Sequence, residues 1–397
     1  MAKPTIRFKG YTEDWEQRKL GDIYGSIGNA FVGTATPYYA EQGHFYLESN
    51  NVKDGQINHN SEIFINDEFY EKQKDKWLHT GDMVMVQSGH VGHAAVIPEE
   101  LDNTAAHALI MFRNPKEKIE PYFLNYEYQT DKAKKKIENI TTGNTIKHIL
   151  ASDMQEFVVD VPKYKEQKVI AGYFCNIDHL ITLHHRKCEE TKILKKYMLQ
   201  KMFPQDGQKV PEIRFKGYTE DWEQRRLGEV CQITMGQSPD GSTYSEEPSD
   251  YILVQGNADL KDGWVEPRIW TTQKTKTAQA GDLIMSVRAP AGAMGKTAYD
   301  VVLGRGVAGI KGNEFVYQSL VKMDSDGYWK KMAAGSTFES INSDVVKNAE
   351  MSLPQDVEEQ EKIGSYFMSL DYLITLHQRK CEELKNIKKF MLQNMFV

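Results

Sequence analysis

The chain has 397 residues, of which 40% are hydrophobic and 26% charged, with a formal net charge of −7 and a pI near 5.9. This is the composition of a soluble globular protein with room for two or three domains. No apolar run approaches the ~18 residues of a membrane span, and the N-terminus lacks the apolar core of a signal peptide. We therefore expect a cytoplasmic protein. The four cysteines show no zinc-ligand spacing, and neither a metal site nor a disulfide framework is expected.

The chain opens with a lead-in segment that it later repeats. Residues 4–20 read PTIRFKGYTEDWEQRKL and residues 211–227 read PEIRFKGYTEDWEQRRL, an identity of 15 in 17 positions at an offset of 207. A second pair, residues 173–203 and 366–396, is identical at 21 of 31 positions at an offset of 193. Repeated frames around dissimilar stretches predict one structural role performed twice and two different recognition roles.

The first dissimilar block, about residues 21–162, has short β-rich runs separated by Gly, Asn and Asp turns. Met83 to Gln87 and Ala94 to Ile97 are two such strand-like runs. Polar residues near the turns are candidates to contact base edges, because Asn and Gln pair with adenine and Arg with guanine. An ordinary loop role remains the simpler interpretation of each residue alone. The candidates in this block are Asn29, Thr34, Thr36, Asn50, Asn51, Gln87, Ser88, His90 and His93.

A small-residue turn recurs late in both blocks, at Gly143 and at Gly335, each with a Thr two positions later. Free backbone N–H groups in such a turn suit contact with a phosphate, and a simple turn or helix cap is the alternative. The candidates for DNA contact around these turns are Asn144, Thr145, Lys147, His148, Ser336 and Thr337.

Each block is followed by a long stretch with apolar residues at heptad spacing. Residues 166–203 contain no Pro and only Gly172, and the pattern returns in residues 359–396. The pattern predicts two amphipathic helices, each roughly 55 Å long, that pack on each other. The alternative is a pair of surface helices that each lie on their own domain. His184 and His377 interrupt the apolar stripe, and they either set the register between the helices or lie in solvent where the stripe frays.

The second dissimilar block, about residues 228–354, shares a thin skeleton with the first. Both have a Gly-Asp pair, at 81 and 281, and both end on an apolar residue followed by Pro. Tyr251 to Gln255 and Leu283 to Val287 are strand-like runs. A shared skeleton under different loops predicts the same fold with different binding surfaces. The candidates to contact base edges in this block are Gln237, Ser238, Gln255, Asn257, Arg288 and Arg305.

Catalytic motifs are incomplete. Residues 292–297 read like half of a phosphate-binding P-loop, but its first glycine is replaced by Pro290, which has no backbone donor. The sequence therefore predicts an ordinary loop there. His90, His93 and His107 have no acidic partner at ligand spacing, so no metal site is predicted. Nothing in the sequence assembles a nucleophile, a base and oxyanion donors, which favours a binding protein over an enzyme.

Together these segments resemble the specificity (S) subunit of type I restriction–modification systems over the whole chain. The segment FKGYTEDWEQRKLGD and its second copy, the GD and GxT landmarks of each block, and the LITLHxRKCEE helices carry the resemblance. It implies an α+β fold with an internal pseudo-twofold repeat, in which two long antiparallel helices, a coiled coil, separate two β-rich target-recognition domains. The implied domains are 1–162 and 205–355, with helices at 163–204 and 356–397.

The resemblance also implies a function. Each recognition domain reads one half of a bipartite, asymmetric site in double-stranded DNA, and the helices set the spacer. Two modification (methyltransferase) subunits dock on the chain and restriction subunits complete the nuclease. S-adenosylmethionine, ATP and magnesium belong to those partners, so no cofactor is expected in this chain. The alternatives are a non-catalytic scaffold or adaptor without DNA sequence readout, which the divergent blocks argue against, and a stand-alone enzyme, which the missing motifs argue against.

Overall fold

The computed structural model describes residues 3–143, 147–205, 207–333 and 340–397. The chain divides into two compact units. Unit 1 comprises the residues up to 183 together with 380–397, and unit 2 comprises residues 184–379. Each unit therefore contains one dissimilar block, the start of one long helix and the end of the other.

Unit 1 is built from short strands and helices, as its turn-rich block predicts. Its strands are β1 (Glu16–Lys19), β2 (Tyr24–Asn29), β3 (Tyr39–Ala40), β4 (His44–Leu47), β5 (Val52–Lys53), β6 (Gln56–Ile57), β7 (Phe64–Ile65), β8 (Met83–Val86), β9 (Ala94–Val96), β10 (Ala105–Ala106), β11 (Leu109–Pro115) and β12 (Val158–Val161). Its helices are α1 (Leu20–Ile23), α2 (Asp67–Lys72), α3 (Pro121–Glu127), α4 (Asp131–Ile140), α5 (Ala151–Glu156) and the first part of α6 (Tyr164–Lys201). Thr130 caps α4, because its side chain accepts a hydrogen bond from the Ala133 N–H.

Two four-stranded sheets form the body of unit 1. One is antiparallel in the order β2-β11-β8-β9, and the other has the order β10-β4-β7-β3 with β10 parallel to β4. Alternate side chains of β8 enter different hydrophobic clusters, Met83 and Met85 in one and Val84 and Val86 in another. A strand buried on both faces reads as a continuous apolar run. The predictions of strands at β8 and β9 are confirmed.

The main core of unit 1 joins the lead-in segment to the block and to both long helices. Trp15 of the lead-in contacts Phe123 of α3 edge to face, at 5.5 Å between ring centroids, and Phe396 at 6.2 Å. Phe174 of α6 is fully buried in the same cluster. Strand β1 pairs antiparallel with β12, which ends the block. The lead-in segment and the long helices therefore pack against the block from both of its ends. We call these repeated segments the frame.

Unit 2 follows the same plan. Its strands are β13 (Glu223–Arg226), β14 (Gln232–Met235), β15 (Tyr244–Ser245), β16 (Tyr251–Val254), β17 (Leu260–Lys261), β18 (Trp264–Val265), β19 (Ile269–Thr271), β20 (Thr277–Ala278), β21 (Leu283–Ser286), β22 (Met294–Lys296), β23 (Val301–Leu303), β24 (Val307–Lys311) and β25 (Glu350–Leu353). Its helices are α7 (Leu227–Val230), α8 (Glu314–Ser325), α9 (Tyr328–Ala333), α10 (Ser343–Asn348) and the first part of α11 (Val357–Met395). The predicted strands at β16 and β21 are confirmed.

The sheets of unit 2 are wider than those of unit 1. One has six strands in the order β14-β24-β21-β22-β18-β17, and the other has five in the order β15-β19-β16-β23-β20. Trp222 of the second lead-in contacts Phe315 at 5.5 Å and Phe203 at 5.9 Å, which repeats the aromatic arrangement of unit 1. Short 3-10 turns occur in both units, at Thr36–Tyr38, Ser49–Asn51, Lys74–Lys76, Glu99–Leu101, Gly241–Thr243 and Asn257–Asp259.

The frame contacts of the two units match residue by residue. Arg7 holds Glu166 through two hydrogen bonds of 2.7 and 2.8 Å, and Arg214 holds Glu359 through bonds of 2.6 and 2.8 Å. The two carboxylate side chains are only 3% and 1% exposed. A guanidinium fork that matches a buried carboxylate attaches each lead-in segment to the start of a long helix. The predicted internal repeat is confirmed.

The two long helices contact each other within each unit. In unit 1, Lys388 of α11 lies 2.7 Å from a carboxylate oxygen of Asp178 in α6. In unit 2, the repeat-equivalent pair is Lys195 and Asp371, at 2.6 Å. The start of one helix meets the end of the other in both cases, so the helices run antiparallel, as predicted.

His184 and His377 contact each other across the two helices in unit 2. Their Nδ1 atoms are 2.9 Å apart and the rings are half-buried. One ring must donate and the other accept, so at least one of them is neutral. Burial, with the neighbouring charges of His184 and Lys187, lowers the pKa of His377. Of the two interpretations that the sequence left open, the geometry supports pairing between the helices.

Candidate nucleic-acid interface

Several candidate residues of unit 1 lie at one end of the sheet β2-β11-β8-β9. Asn29 at the end of β2 is opposite Ile110, and Val86 at the end of β8 is opposite Leu109 at the start of β11. The loops that follow β2 and β8 therefore leave the sheet at the same end as the turn before β11. We call this end of unit 1 the first loop edge.

A second segment joins the first loop edge after β8. The Ser88 hydroxyl and His148 Nδ1 are 2.7 Å apart, and the Gly89 N–H donates to the Lys147 carbonyl at 3.1 Å. The Ile149 N–H donates to the carbonyl of Gln87, the residue before Ser88, at 3.0 Å. These bonds bring together candidates that are about 60 positions apart in the sequence.

The loop after β2 is held by the turn before β11. The Phe31 N–H donates to the Ala106 carbonyl at 3.2 Å, and the Ala108 N–H donates to the Phe31 carbonyl at 2.9 Å. The His107 ring lies 3.0 Å from the Gly33 carbonyl and 3.2 Å from Glu48. These contacts fix a loop whose outward side chains include the exposed candidates Thr34 and Thr36.

The neighbouring candidates Asn50 and Asn51 have different environments. Asn50 is exposed. Asn51 is 1% exposed, and its side chain donates to the Asn58 and Ser61 carbonyls and accepts from the Glu48 N–H. The Asn51 amide is thus occupied in holding its own loop, whereas the Asn50 side chain is open to solvent.

His90 and His93 lie on the hairpin loop between β8 and β9. His90 is exposed, and its ring centroid is 6.3 Å from that of the half-buried His93. Burial is the main cause of a lowered pKa at His93. Gly92 has φ +88°, and a Cβ there would lie 3.0 Å from Ile137 of α4, so glycine lets the loop pack closely on that helix.

Unit 2 has an equivalent end, which we call the second loop edge. Met235 at the end of β14 is opposite Ala308, and Ser286 at the end of β21 is opposite Val307 at the start of β24. The candidate Arg288 follows β21 and is exposed.

The loops of the second loop edge are bonded to each other. The Gln237 N–H donates to the Leu303 carbonyl at 2.8 Å, and the Arg305 N–H donates to the Ser238 hydroxyl at 3.2 Å. The Arg305 side chain is exposed beside them. A Cβ at Gly306 would lie 2.0 Å from the Gln255 carbonyl oxygen, so that turn also packs tightly against the end of β16. Four candidates, Gln237, Ser238, Gln255 and Arg305, thus meet in one place.

The 3-10 turn beside Gln255 has its own structural residue. Asp259 is 2% exposed and accepts from the Gln255 and Gly256 N–H groups, at 2.7 and 3.2 Å, and from Arg268 at 3.0 Å. It occupies the position that Asn51 occupies in unit 1. Asn257, at the start of the turn, is half-buried.

Four candidates lie outside the described residues. They are Asn144, Thr145, Ser336 and Thr337. They remain predictions, as do the other DNA contacts.

The loop edges contain residues that the sequence did not single out as DNA contacts. Val32 is 60% exposed on the loop after β2, and His107 and Glu48 lie behind that loop. No sequence pattern indicated these positions, because the placement of an isolated valine or glutamate depends on strand register. A register shift of one residue would place different side chains on the surface.

The segment that looks like half a P-loop has a structural role. Its residues Met294–Lys296 form β22, where the sequence predicted a loop. Lys296 is paired with Glu314 at 2.9 Å and lies over the Trp264 and Tyr317 rings, at 5.0 and 4.6 Å from their centroids. Its charge is already compensated within unit 2. Across the described parts of the chain, no group of three or more His, Cys, Asp or Glu side chains has a metal-holding arrangement.

Comparison with known proteins identifies a family. The sequence model of the type I restriction modification DNA specificity domain matches residues 12–192 and again 219–386. A chain from Methanocaldococcus jannaschii, provisionally named the type I restriction enzyme MjaX specificity subunit, is 28% identical over 95% of this chain and 91% of its own length. The MjaVIII specificity subunit of the same organism is 21% identical over the same shares.

Solved structures have the same fold. The S subunit of a type I restriction–modification system from M. genitalium has a TM-score of 0.70 at 14% identity, covering 100% of this chain and 99% of that one. A chain from a structural study of type I complex assembly and conformational transition has a TM-score of 0.55 at 23% identity, covering 96% and 97%. Within the described residues, no helix is long and apolar enough to span a bilayer.

Proposed function

The chain belongs to the type I restriction modification DNA specificity domain family, and we propose that it is the non-catalytic DNA specificity subunit of such a system. One observation carries the proposal: an equivalent fold occurs twice, with equivalent frame contacts and different side chains at equivalent loop edges. Unit 1 presents Asn29, Gln87 and Ser88 where unit 2 presents Gln237, Arg288 and Arg305. A scaffold without sequence readout would have no need for this divergence.

Each loop edge has the chemistry to read one half of a bipartite site. Asn and Gln amides pair with adenine in the major groove, Arg pairs with guanine, and Ser, His and Lys add contacts to bases and phosphates. The bonds between loops fix the backbone that carries these side chains, so little ordering is required on binding. We propose that unit 1 and unit 2 read different half-sites, and that the long helices set the unspecified spacer between them.

Exposed apolar side chains at equivalent positions of the long helices would contact a protein partner. On unit 1, Leu180, Ile387 and Phe390 are 40%, 38% and 59% exposed. Their repeat equivalents on unit 2, Leu373, Leu194 and Tyr197, are 40%, 44% and 52% exposed. Apolar residues exposed at repeated positions are typical of docking surfaces.

We propose that two methyltransferase subunits dock on these residues and that restriction subunits complete a cytoplasmic complex. S-adenosylmethionine, ATP and magnesium would be bound by those partners. The target base would enter a pocket of the methyltransferase, because a base must leave the duplex before it is methylated.

A block exchange tests the proposal. The full-length chain is assembled with its methyltransferase partner, and the methylated sites are mapped by sequencing on DNA that contains all short sequences. We expect one asymmetric bipartite site. Replacing residues 21–162 with the first block of another specificity chain should change one half of the site and leave the other half unchanged. Methylation or retention without sequence preference would leave the scaffold function as the better account, and a change in both halves would contradict independent reading.

An insertion tests the spacer. A few residues added between Phe203 and Pro211, after the end of α6, should change the number of unspecified base pairs and leave both half-sites unchanged. The matched control is the same insertion in the exposed segment around Glu246 and Glu247 of unit 2, which should leave the spacer as it was.

A further inference from the structure

Unit 1 contains a cleft of about 580 Å³ beside the first loop edge. The hairpin loop from Gly89 to His93 forms one wall, α4 forms a second, and the last turns of α11 form a third. The loop that carries the candidate DNA contacts Ser88 and His90 is therefore also a wall of this cleft. Any ligand in the cleft would lie next to the proposed half-site.

Five lysines line the cleft, and three of them are not neutralised. Lys147 is paired with Glu138 at 2.9 Å and Lys388 with Asp178 at 2.7 Å. Lys134, Lys385 and Lys389 are exposed. None of these three ammonium groups has a carboxylate at ion-pair distance within the part of the chain that the structure describes.

The cleft also offers uncharged hydrogen-bonding groups. His93 Nδ1 accepts from the Asp54 N–H at 3.2 Å, so a neutral His93 carries its proton on Nε2 and is a donor there. Asn125 and Tyr128 line the cleft and are 1% and 2% exposed. Asn125 Oδ1 and the Tyr128 hydroxyl are buried without a hydrogen-bond partner among the described residues. Both atoms are enclosed, and Asn125 Oδ1 can only accept, so of these groups the His93 ring is the one that can donate to a phosphate.

The equivalent cleft of unit 2 has a different charge pattern. Three of its cations are compensated: Lys192 by Glu189 at 2.8 Å, Lys195 by Asp371 at 2.6 Å and Lys296 by Glu314 at 2.9 Å. Acidic residues line both clefts, Asp54 and Asp131 in unit 1 and Asp262 and Asp324 in unit 2, and the exposed Arg379 also lines the cleft of unit 2. The accumulation of uncompensated lysines is therefore specific to unit 1.

We propose that the cleft of unit 1 binds backbone phosphates of DNA next to the first half-site, through Lys134, Lys385 and Lys389. The inference rests on the proposed function and adds to it a binding site for one flank of the target. Ammonium groups without counter-ions are suited to phosphates, which fix the register of a protein on DNA without reading sequence. An acidic segment of a protein partner would be a different ligand, and the position of the cleft beside the candidate DNA contacts Ser88 and His90 favours DNA.

The size of the effect follows from counterion release. Each phosphate neutralised adds about 0.9 to the slope of log K against log salt concentration. If the three lysines together neutralise two or three phosphates, their removal lowers that slope by about 2 to 3. Because phosphates carry no sequence information, the preferred target should remain the same.

The test measures the triple variant K134Q/K385Q/K389Q and the double variant K385Q/K389Q, and K192Q/K196Q is the matched control of the double variant. Lys192 and Lys196 are the repeat equivalents of Lys385 and Lys389 at the offset of 193. Binding of the full complex to a duplex that contains the mapped target is measured between low and high salt. Single methylphosphonate substitutions are then placed along the backbone, since each removes one phosphate charge.

Failure of the phosphate site and failure of the proposed function would give different results. We expect the triple variant to bind the same target sequence with a smaller slope of log K against log salt concentration. Methylphosphonates at a few positions flanking the first half-site should weaken binding of the wild type and have no effect on the variant. An unchanged slope with wild-type target preference overturns the phosphate site and leaves the proposed function intact. Loss of the methyltransferase subunit with an unchanged slope assigns the cleft to a protein partner and also overturns it. A wild-type complex with no sequence preference refutes the proposed function itself.

Discussion

Replacement of Glu127 by glutamine should remove a loss of folding stability that unit 1 undergoes as the pH rises. Glu127 of α3 and Asp160 of β12 are 6% and 1% exposed and adjacent, with the Asp160 N–H 3.5 Å from a Glu127 carboxylate oxygen. The other Glu127 oxygen has no hydrogen-bond partner among the described residues. At the equivalent positions unit 2 has Ser319 and Ser352, neither of which can ionise.

The size of this effect follows from the pKa. Burial raises the pKa of Glu127 from 4.5 to about 8. A carboxyl group whose pKa is higher in the folded state stabilises the fold fully below its unfolded pKa, and that stability is lost as the pH rises towards 8. Between about pH 5.5 and about pH 8 the loss is about 3 kcal/mol. Glu127→Gln keeps the shape of the side chain and cannot ionise, so its stability should not decline over this range.

Amide hydrogen exchange measures the effect in each unit separately. Peptides from residues 121–161 report on unit 1, and peptides from residues 314–353 of unit 2 are an internal control. After correction for intrinsic exchange, wild-type protection of the first set should fall between about pH 5.5 and about pH 8 relative to E127Q. The matched control is E138Q, because Glu138 is exposed and Lys147 lowers its pKa. Identical pH dependence in wild type and E127Q would refute the reasoning.

Further substitutions test the lead-in attachment, the second loop edge and the long helices in turn. Arg214→Ala leaves Glu359 buried without its partner and should lower the free energy of unfolding in urea by roughly 3–5 kcal/mol, whereas the additional change Glu359→Leu should restore much of it. No restoration would show that the arginine acts through packing. Asp259→Ala removes the acceptor that shapes the turn after β16, so selectivity should fall at one half-site only, as read by methylation mapping; equal loss at both halves would contradict this. Tyr197→Ala and Phe390→Ala should each weaken methyltransferase binding by about 1–3 kcal/mol, measured by calorimetry, without changing the unfolding midpoint. Unchanged affinity in both variants would exclude these residues from the docking surface.

The architecture of this protein could be predicted from the sequence because it depends on local hydrophobic patterns and on an internal repeat. Apolar residues at heptad spacing without Pro predict a long helix without any knowledge of tertiary contacts. The helices observed are Tyr164–Lys201 and Val357–Met395. Runs such as Met83–Val86 are apolar at every position, which indicates a strand covered on both faces. The prediction of a loop at residues 292–297 was wrong in part, because β22 there depends on pairing with the preceding strand β21 and with the more distant β18.

The sequence by itself determined that two similar frames hold two different polar surfaces. Tertiary structure alone decided which polar residues can act together. Asn51 and Asn50 are neighbours in sequence, yet one amide is occupied inside the loop and the other is exposed. Lys134 and Lys389 are far apart in sequence, yet both line one cleft. The physical reason is that burial, strand register and charge compensation depend on contacts between distant segments, and these do not appear in any local pattern.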